Sequence, residues 1–166
     1  MQHETLTPEE DCLPALAYLI QKLEQWGHDI DQEQLVALLG RPILWADVAP
    51  FLRFTTESRC RTPLLETPDV EVILIGWLPG QASSLHDHGP SHCVFRVVSG
   101  AAQEQRFLSS DMPKPYEERV HLPGELVTVV PGEAHIVANR SAREPLVTLH
   151  VYAPPLASAP PRTPLS

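Results

Sequence analysis

Short runs rich in Val, Ile and Leu, separated by glycine turns, occupy the chain from Val70 onwards. Five runs have this pattern: Val70–Trp77, Cys93–Val98, Ala102–Leu108, Leu126–Val130 and Leu146–Tyr152. Pro-Gly or Ser-Gly pairs stand at positions 79–80, 99–100, 123–124 and 131–132. Runs of this length between turn residues indicate β-strands, and no long helix intervenes to connect parallel strands. The pattern therefore predicts antiparallel strands that close into a barrel or jelly roll.

The first third of the chain has helical spacing instead. Thr7–Glu10 resembles a capping box, apolar residues then recur at helical intervals, and Gly27 ends the run. A second helix is predicted from Asp31 to Leu39, closed by Gly40. A shorter helix is predicted over Trp45–Leu52.

These patterns predict one domain over residues 1–155 and a tail over residues 156–166. The helical segment covers about residues 1–55 and the barrel about residues 59–155. The tail is rich in proline and poor in charge, so we expect it to be disordered.

Charge and composition exclude several classes of protein. The chain has 12 Lys and Arg against 21 Asp and Glu, a net charge of −9, so it lacks the basic patch that a nucleic-acid surface requires. It has no signal-peptide pattern and no apolar run of about 18 residues that would span a membrane. Its 3 cysteines do not suggest a disulfide framework. We therefore expect a cytoplasmic enzyme that has neither nucleic-acid nor membrane partners.

Three histidines form the strongest candidate site. His86 and His88 follow a predicted strand, and residues two apart in extended backbone point to the same face. His135 follows the turn at 131–132 and begins another apolar run. Two near histidines and one distant one predict a site for a single transition-metal ion. By contrast, His92 and His121 are expected to be solvated.

Polar and apolar residues alternate near the end of the predicted barrel. Thr148, His150 and Tyr152 alternate with Leu149 and Val151, so the three polar side chains share one face of a strand. Burying such a row requires a partner for each group, and a polar cavity would supply those partners. The alternative is a strand whose polar face is exposed to solvent.

The spacing around the first two histidines resembles a known motif. Gly80, five residues, His86-x-His88, four residues, Cys93, six residues and Gly100 are similar to the first motif of the cupin family. The departure is Cys93, which stands where the usual ligand is Glu.

The segment around His135 resembles the second cupin motif. The matching residues are Gly124, Pro131-Gly132, His135 and Asn139, with one extra residue before the proline. The two motifs together imply a mainly β fold, a cupin-type jelly-roll β-barrel preceded by a small N-terminal helical segment.

Cys93 restricts the resemblance to one group of cupins. Because it replaces the usual carboxylate ligand, only three neutral imidazoles remain as metal ligands. The segments HDHGPSHC (86–93) and LHVY (149–152) are similar to those of cysteine dioxygenases of the bacterial type. In that family the three histidines hold Fe(II). The family also has a thioether link between the equivalents of Cys93 and Tyr152, and the equivalent of His150 orients the tyrosine.

The resemblance covers about residues 59–155 and also implies a substrate contact. An arginine of the family binds the substrate carboxylate, and Arg61 matches it by position. The sequence departs from the family two residues earlier, where Arg59 stands in place of a frequent tyrosine. The family implies an iron-dependent thiol dioxygenase of cysteine catabolism that oxidises L-cysteine with O2 to cysteine sulfinic acid, and we expect a monomer.

The ligand set suits this chemistry, because three neutral histidines leave a divalent metal with its full charge and favour a bound thiolate. Two alternatives stay open. The first is a different substrate, another small thiol acid such as 3-mercaptopropionate, although relatives that prefer it carry Gln in place of Arg61. The second is a non-oxygenase cupin that binds zinc or manganese. In that case Cys93 is a small buried apolar residue or a weak fourth ligand.

Overall fold

The structure, a computed structural model, describes residues 14–26 and 29–156. Its helices are α1 (Ala15–Gln25), α2 (Gln32–Leu39) and α3 (Trp45–Val48), and a 3-10 turn (Ala49–Phe51) follows α3. Its strands are β1 (Cys60–Glu66), β2 (Glu71–Trp77), β3 (His86–Asp87), β4 (His92–Ser99), β5 (Ala102–Phe107), β6 (Glu117–His121), β7 (Leu126–Val129), β8 (Ala134–Ala138) and β9 (Leu146–Ala153). Every described strand pair is antiparallel, as predicted.

The strands form two sheets, and the space between them holds the candidate site. The larger sheet has the order β1-β2-β9-β4-β7, and the smaller has the order β3-β8-β5-β6. Alternate residues of β2 serve two cores: Val72 and Leu74 pack with the helices, whereas Ile73 and Ile75 belong to the core shared with the smaller sheet. The central strand β9 is buried along its whole length. This arrangement of two facing antiparallel sheets confirms the predicted mainly β jelly roll.

The helix predicted from Asp31 to Leu39 is confirmed. The Asp31 side chain accepts a hydrogen bond from the Gln34 backbone (2.9 Å), and the Gln34 side chain accepts one from the Asp31 backbone (3.0 Å). This reciprocal capping box satisfies two amides at the start of α2, and Gly40 caps its end.

The other helical predictions are confirmed in part. Helix α1 begins after Pro14, whereas Thr7–Glu10, Gly27 and the tail from residue 157 onwards lie outside the described residues. The segment predicted as a helix over Trp45–Leu52 is divided into α3 and the 3-10 turn, because Pro50 has no amide hydrogen to continue an α-helix. None of the described helices is long and apolar enough to cross a membrane.

The sequence pattern does not predict β1, β3 or β6, and it indicates β8 only as an apolar run. Strands β1 and β6 lie at the edges of their sheets, so much of their surface is exposed and their sequences lack a clear apolar alternation. Strand β3 has only two residues, which is too short for any periodic signal.

The predicted glycine turns are confirmed. Gly80, Gly100, Gly124 and Gly132 have φ angles of 83°, 80°, 92° and 84°. At Gly100, between β4 and β5, a Cβ atom would lie 2.5 Å from the carbonyl oxygen of Pro145. This turn therefore accepts only glycine without a backbone shift.

Candidate metal centre

The three predicted histidines come together between the sheets. Pairing of β3 with β8 places His86 directly opposite His135, and His88 follows β3. The ring centroids are 4.7 Å apart for His86 and His135, 5.0 Å for His86 and His88, and 4.9 Å for His88 and His135. One ligand atom from each residue lies within 4.8 Å of the others. This is the spacing of side chains that can hold one metal ion.

Hydrogen bonds leave the second ring nitrogen available on two of these histidines. His86 Nδ1 donates to the carbonyl oxygen of Ser84 (2.8 Å), and His135 Nδ1 donates to the Glu104 carboxylate (2.8 Å). A neutral imidazole that donates through Nδ1 has its lone pair on Nε2. Both rings are thus held in the tautomer that offers Nε2 to a metal.

The surroundings also keep His86 in its neutral form. Burial, together with the nearby His135, lowers the pKa of His86 to about 4, although the hydrogen bond to Ser84 acts in the opposite direction. Only a neutral imidazole can bind a metal, so near pH 7 no proton competes for this side chain.

Glu104 is a buried carboxylate that the sequence analysis missed. It lies on β5 with 0% exposure, and its cross-strand partner is Val137, so it lies diagonally from His135. Its oxygens accept hydrogen bonds from His135, from His121 Nε2 (2.8 Å) and from Arg106 Nε (3.0 Å). Burial opposes this charge, but the hydrogen bonds from His121 and His135 and the Arg106 charge outweigh it and hold the pKa of Glu104 below its usual range.

The prediction that His121 is solvated is wrong. His121 is the last residue of β6 and faces inward, where it is 8% exposed and bonds to Glu104. His92 is half-buried rather than solvated. One signal was available: a metal-binding histidine usually donates to a carboxylate, and Glu104 is the carboxylate within the predicted strand Ala102–Leu108.

A hydrogen-bonded chain of side chains forms a second wall of the site. Trp77 Nε1 donates to Thr148 Oγ1 (2.9 Å), Thr148 Oγ1 lies 2.8 Å from His150 Nε2, and His150 Nδ1 lies 3.1 Å from the Tyr152 hydroxyl. All four side chains are buried, and the His150 ring stacks on Phe95 at 4.7 Å. The predicted polar face of this strand therefore faces the interior.

The hydroxyl hydrogen of Thr148 sets the direction of this chain. If it points to His150 Nε2, every member is satisfied: His150 carries its proton on Nδ1 and donates to the Tyr152 oxygen, so the Tyr152 hydrogen is directed to an acceptor outside this hydrogen-bonded chain. The opposite direction buries the Thr148 hydrogen without an acceptor, which is costly. The Trp77 indole, which can only donate, had no sequence signal because it ends an apolar run.

Cys93 and Tyr152 are cross-strand neighbours. Strands β4 and β9 pair these two residues directly, both are buried, and Tyr152 forms a side-chain hydrogen bond with the thiol. Burial raises the pKa of Cys93 well above its usual value, and the Glu104 charge adds to that effect. Burial likewise raises the pKa of Tyr152. Both groups are therefore protonated near neutral pH, and Cys93 does not belong to the three-histidine cluster.

A cavity of about 60 Å³ adjoins the histidines, and its lining includes His86, His135, His150, Tyr152, Arg59 and Arg61. Arg61 lies in β1 opposite Ile75, and its side chain reaches the cavity from a mostly exposed position. The structure therefore places Arg61, predicted to bind a carboxylate, at the cavity that His86 and His135 also line.

A larger cavity of about 510 Å³ lies elsewhere, between α1 and the segment that follows α2. Its lining is mostly apolar and contains none of the site histidines. Size alone would favour it as a binding site, but the ionisable groups, the hydrogen-bonded chain and the arginines belong to the smaller cavity. We therefore assign the chemistry to the smaller cavity.

Sequence comparison connects this site to one family. The family described as cysteine dioxygenase type I matches residues 14–160. Cysteine dioxygenase type 1 of Danio rerio is 34% identical in an alignment of 172 positions that covers 95% of this chain and 81% of that protein. The Homo sapiens protein of the same name is 30% identical in an alignment of 168 positions that covers 93% of this chain and 79% of that protein.

Structural comparison supports the fold. An uncharacterized conserved protein with a double-stranded β-helix domain from Klebsiella pneumoniae has a TM-score of 0.56 and 25% identity. The superposition covers 64% of this chain and 81% of that chain. Facing antiparallel sheets of this kind are the architecture of cupins, so the predicted cupin-type jelly roll is confirmed.

Proposed function

The chain belongs to the cysteine dioxygenase type I family, and on that premise we propose that it oxidises L-cysteine with O2 to cysteine sulfinic acid. We propose iron as the cofactor, with His86, His88 and His135 as its ligands. One observation carries the proposal: two histidines of the three-histidine cluster, His86 and His135, line the same cavity as Tyr152 and Arg61. A cupin that only binds a metal has no need for these additional groups.

The donor set fits this cofactor. Three neutral imidazoles leave a divalent ion with its full charge and with coordination positions for an anionic thiolate and for O2. Bound iron would supply the chemistry that adds both oxygen atoms to the sulfur, two steps up the thiol oxidation ladder.

The residues of the chain have separate roles in this proposal. Arg61 would bind the substrate carboxylate with its planar guanidinium. The Tyr152 hydroxyl, held by His150, would donate a hydrogen bond to the substrate or to O2 in the cavity. Apolar side chains such as Val137 and Leu156 also line the cavity and would exclude water from the reacting groups.

Oxygen consumption on a panel of thiols tests the function. We expect the iron-loaded protein to consume O2 with L-cysteine and to release cysteine sulfinate, measured with an oxygen electrode and by mass spectrometry. Faster oxygen consumption with 3-mercaptopropionate than with L-cysteine would make 3-mercaptopropionate the proposed substrate. Metal binding without thiol-dependent oxygen uptake on L-cysteine, 3-mercaptopropionate and cysteamine would show a non-oxygenase cupin.

The monomeric state and cytoplasmic location stay predictions.

Replacing Arg61 by Ala tests the carboxylate contact. A charged hydrogen-bonded contact contributes about 1.5–3 kcal/mol, so KM for L-cysteine should rise at least about tenfold. Cysteamine lacks the carboxylate and serves as the matched substrate, and its KM should change little. Equal increases for both thiols would mean that Arg61 supports the fold of the site and does not bind the carboxylate.

The pairing of Cys93 with Tyr152 supports a thioether crosslink. Joining Sγ to a ring carbon of the tyrosine removes the thiol hydrogen and one ring hydrogen, and O2 accepts the two electrons and two protons. A digest of the protein after turnover should therefore contain a peptide pair lighter by two hydrogens than its parts. The Cys93→Ser variant should lack that species, and Cys93 recovered wholly as a free thiol would contradict the crosslink.

A further inference from the structure

Two positive charges at the cavity have no acidic partner in the part of the chain that the structure describes. Neither Arg59 nor Arg61 forms an ion pair with an Asp or Glu within residues 14–26 and 29–156, whereas Arg106 lies 3.0 Å from Glu104. In a chain with 12 basic and 21 acidic residues, two unpaired arginines at one small cavity are a marked local excess of positive charge. A partly buried cation without a partner costs free energy, so this cavity favours an anionic ligand.

The tryptophan beside the cavity fixes the position of Arg59. The guanidinium carbon of Arg59 lies 5.4 Å from the centroid of the Trp77 ring, within the range of a cation–π contact. Trp77 is 1% exposed, and its indole is held by the hydrogen bond to Thr148. The Arg59 side chain is half-buried and donates no hydrogen bond to another described residue. Its N–H groups are therefore held in place and bond to none of the described residues, so they are available to a ligand.

The strand geometry brings the two arginines to one face. Arg59 directly precedes β1 and Arg61 is its second residue, so their side chains point the same way in extended backbone. Both line the cavity, as does Ile75, the cross-strand partner of Arg61. One carboxylate has about four acceptor positions, enough for two guanidiniums.

We propose that Arg59 is a second carboxylate-binding residue, which together with Arg61 makes the site selective for thiols that carry an acidic group. This inference rests on the proposed function and adds a specificity residue to it. A thiol without an acidic group, such as cysteamine, would have no carboxylate to offer the two guanidiniums. Removal of the Arg59 charge should therefore weaken L-cysteine binding and leave cysteamine unchanged or bound more tightly.

The test compares Arg59→Met with Arg59→Lys. Methionine keeps an unbranched side chain over Trp77 but removes the charge, whereas lysine keeps the charge but loses the planar fork. L-cysteine and cysteamine are titrated without O2 into the iron-loaded protein, so that binding is measured in the absence of turnover. We expect Arg59→Met to bind L-cysteine about tenfold more weakly, with a smaller loss for Arg59→Lys. Arg119→Met, an exposed substitution on β6, should match the wild type.

The outcomes separate this proposal from the function itself. An unchanged affinity for L-cysteine in Arg59→Met would show that Arg61 binds the carboxylate alone. Equal weakening for both thiols, together with a lower melting temperature, would show that Arg59 only supports Trp77. Either result overturns the role of Arg59 while the oxidation of L-cysteine stands. Conversely, a wild-type protein that binds L-cysteine selectively but consumes no O2 would contradict the function and leave the binding role intact.

Discussion

Replacing His135 by Ala should abolish metal binding and thiol-dependent oxygen uptake. If three ligands share the about 10–16 kcal/mol typical of a tightly bound structural zinc ion, each contributes about 3–5 kcal/mol. Loss of one ligand then weakens the affinity by at least about a hundredfold, since about 1.4 kcal/mol is a factor of ten. We expect the largest loss of metal affinity at His135, because it lies opposite His86 and also bonds to Glu104.

The measurement is the metal content of the protein after gel filtration, together with oxygen uptake on L-cysteine. His86→Ala is the companion variant, because His86 is only half-buried and its removal should disturb the core less. His92→Gln is the matched control, since His92 is a half-buried histidine like His86 but lies outside the three-histidine cluster. A His135→Ala protein that retains stoichiometric metal would contradict the proposed ligand set.

Local spacing explains why the sequence located these histidines. In extended backbone, the spacing of His86 and His88 alone brings their side chains to one side, and the turn at 131–132 starts the strand that carries His135. The alternation of Thr148, His150 and Tyr152 was equally readable, because β9 is long and regular. The alternation alone did not predict whether β9 is buried. The strand is buried because β2 pairs with it on one side and β4 on the other.

The missed residues depend on pairing between distant strands. His121 looked solvated because β6 is an edge strand with exposed residues before it, and only its pairing with Ala102 turns the ring towards Glu104. Arg59 was visible as a departure from the family, but its position over Trp77 depends on the pairing of β1 with β2. Periodicity within one segment carries no information about such contacts.

The buried carboxylate should have the second largest effect, and Glu104→Gln is the variant that tests it. Glutamine keeps the shape but replaces one acceptor oxygen with an NH2 group, which would face at least one of the donors from His135, His121 and Arg106. Breaking a buried charge network costs about 3–5 kcal/mol, at the lower end here because Glu133 remains 3.5 Å from Arg106. Loss of the carboxylate behind a metal ligand typically costs 10–100-fold in metal affinity.

Two further variants separate the effect on the metal from the effect on the fold. Urea unfolding gives the free energy of unfolding, and competition with a chelator gives the metal affinity of each protein. Glu118→Gln, on the exposed part of β6, should change neither by more than about 0.5 kcal/mol. His121→Gln removes a partner of Glu104 that does not touch the metal cluster, so it should lower stability and leave metal affinity nearly unchanged. If Glu104→Gln instead binds the metal as tightly as the wild type, the hydrogen bond to His135 Nδ1 contributes nothing to metal affinity. Glu104 would then stabilise the fold without orienting His135.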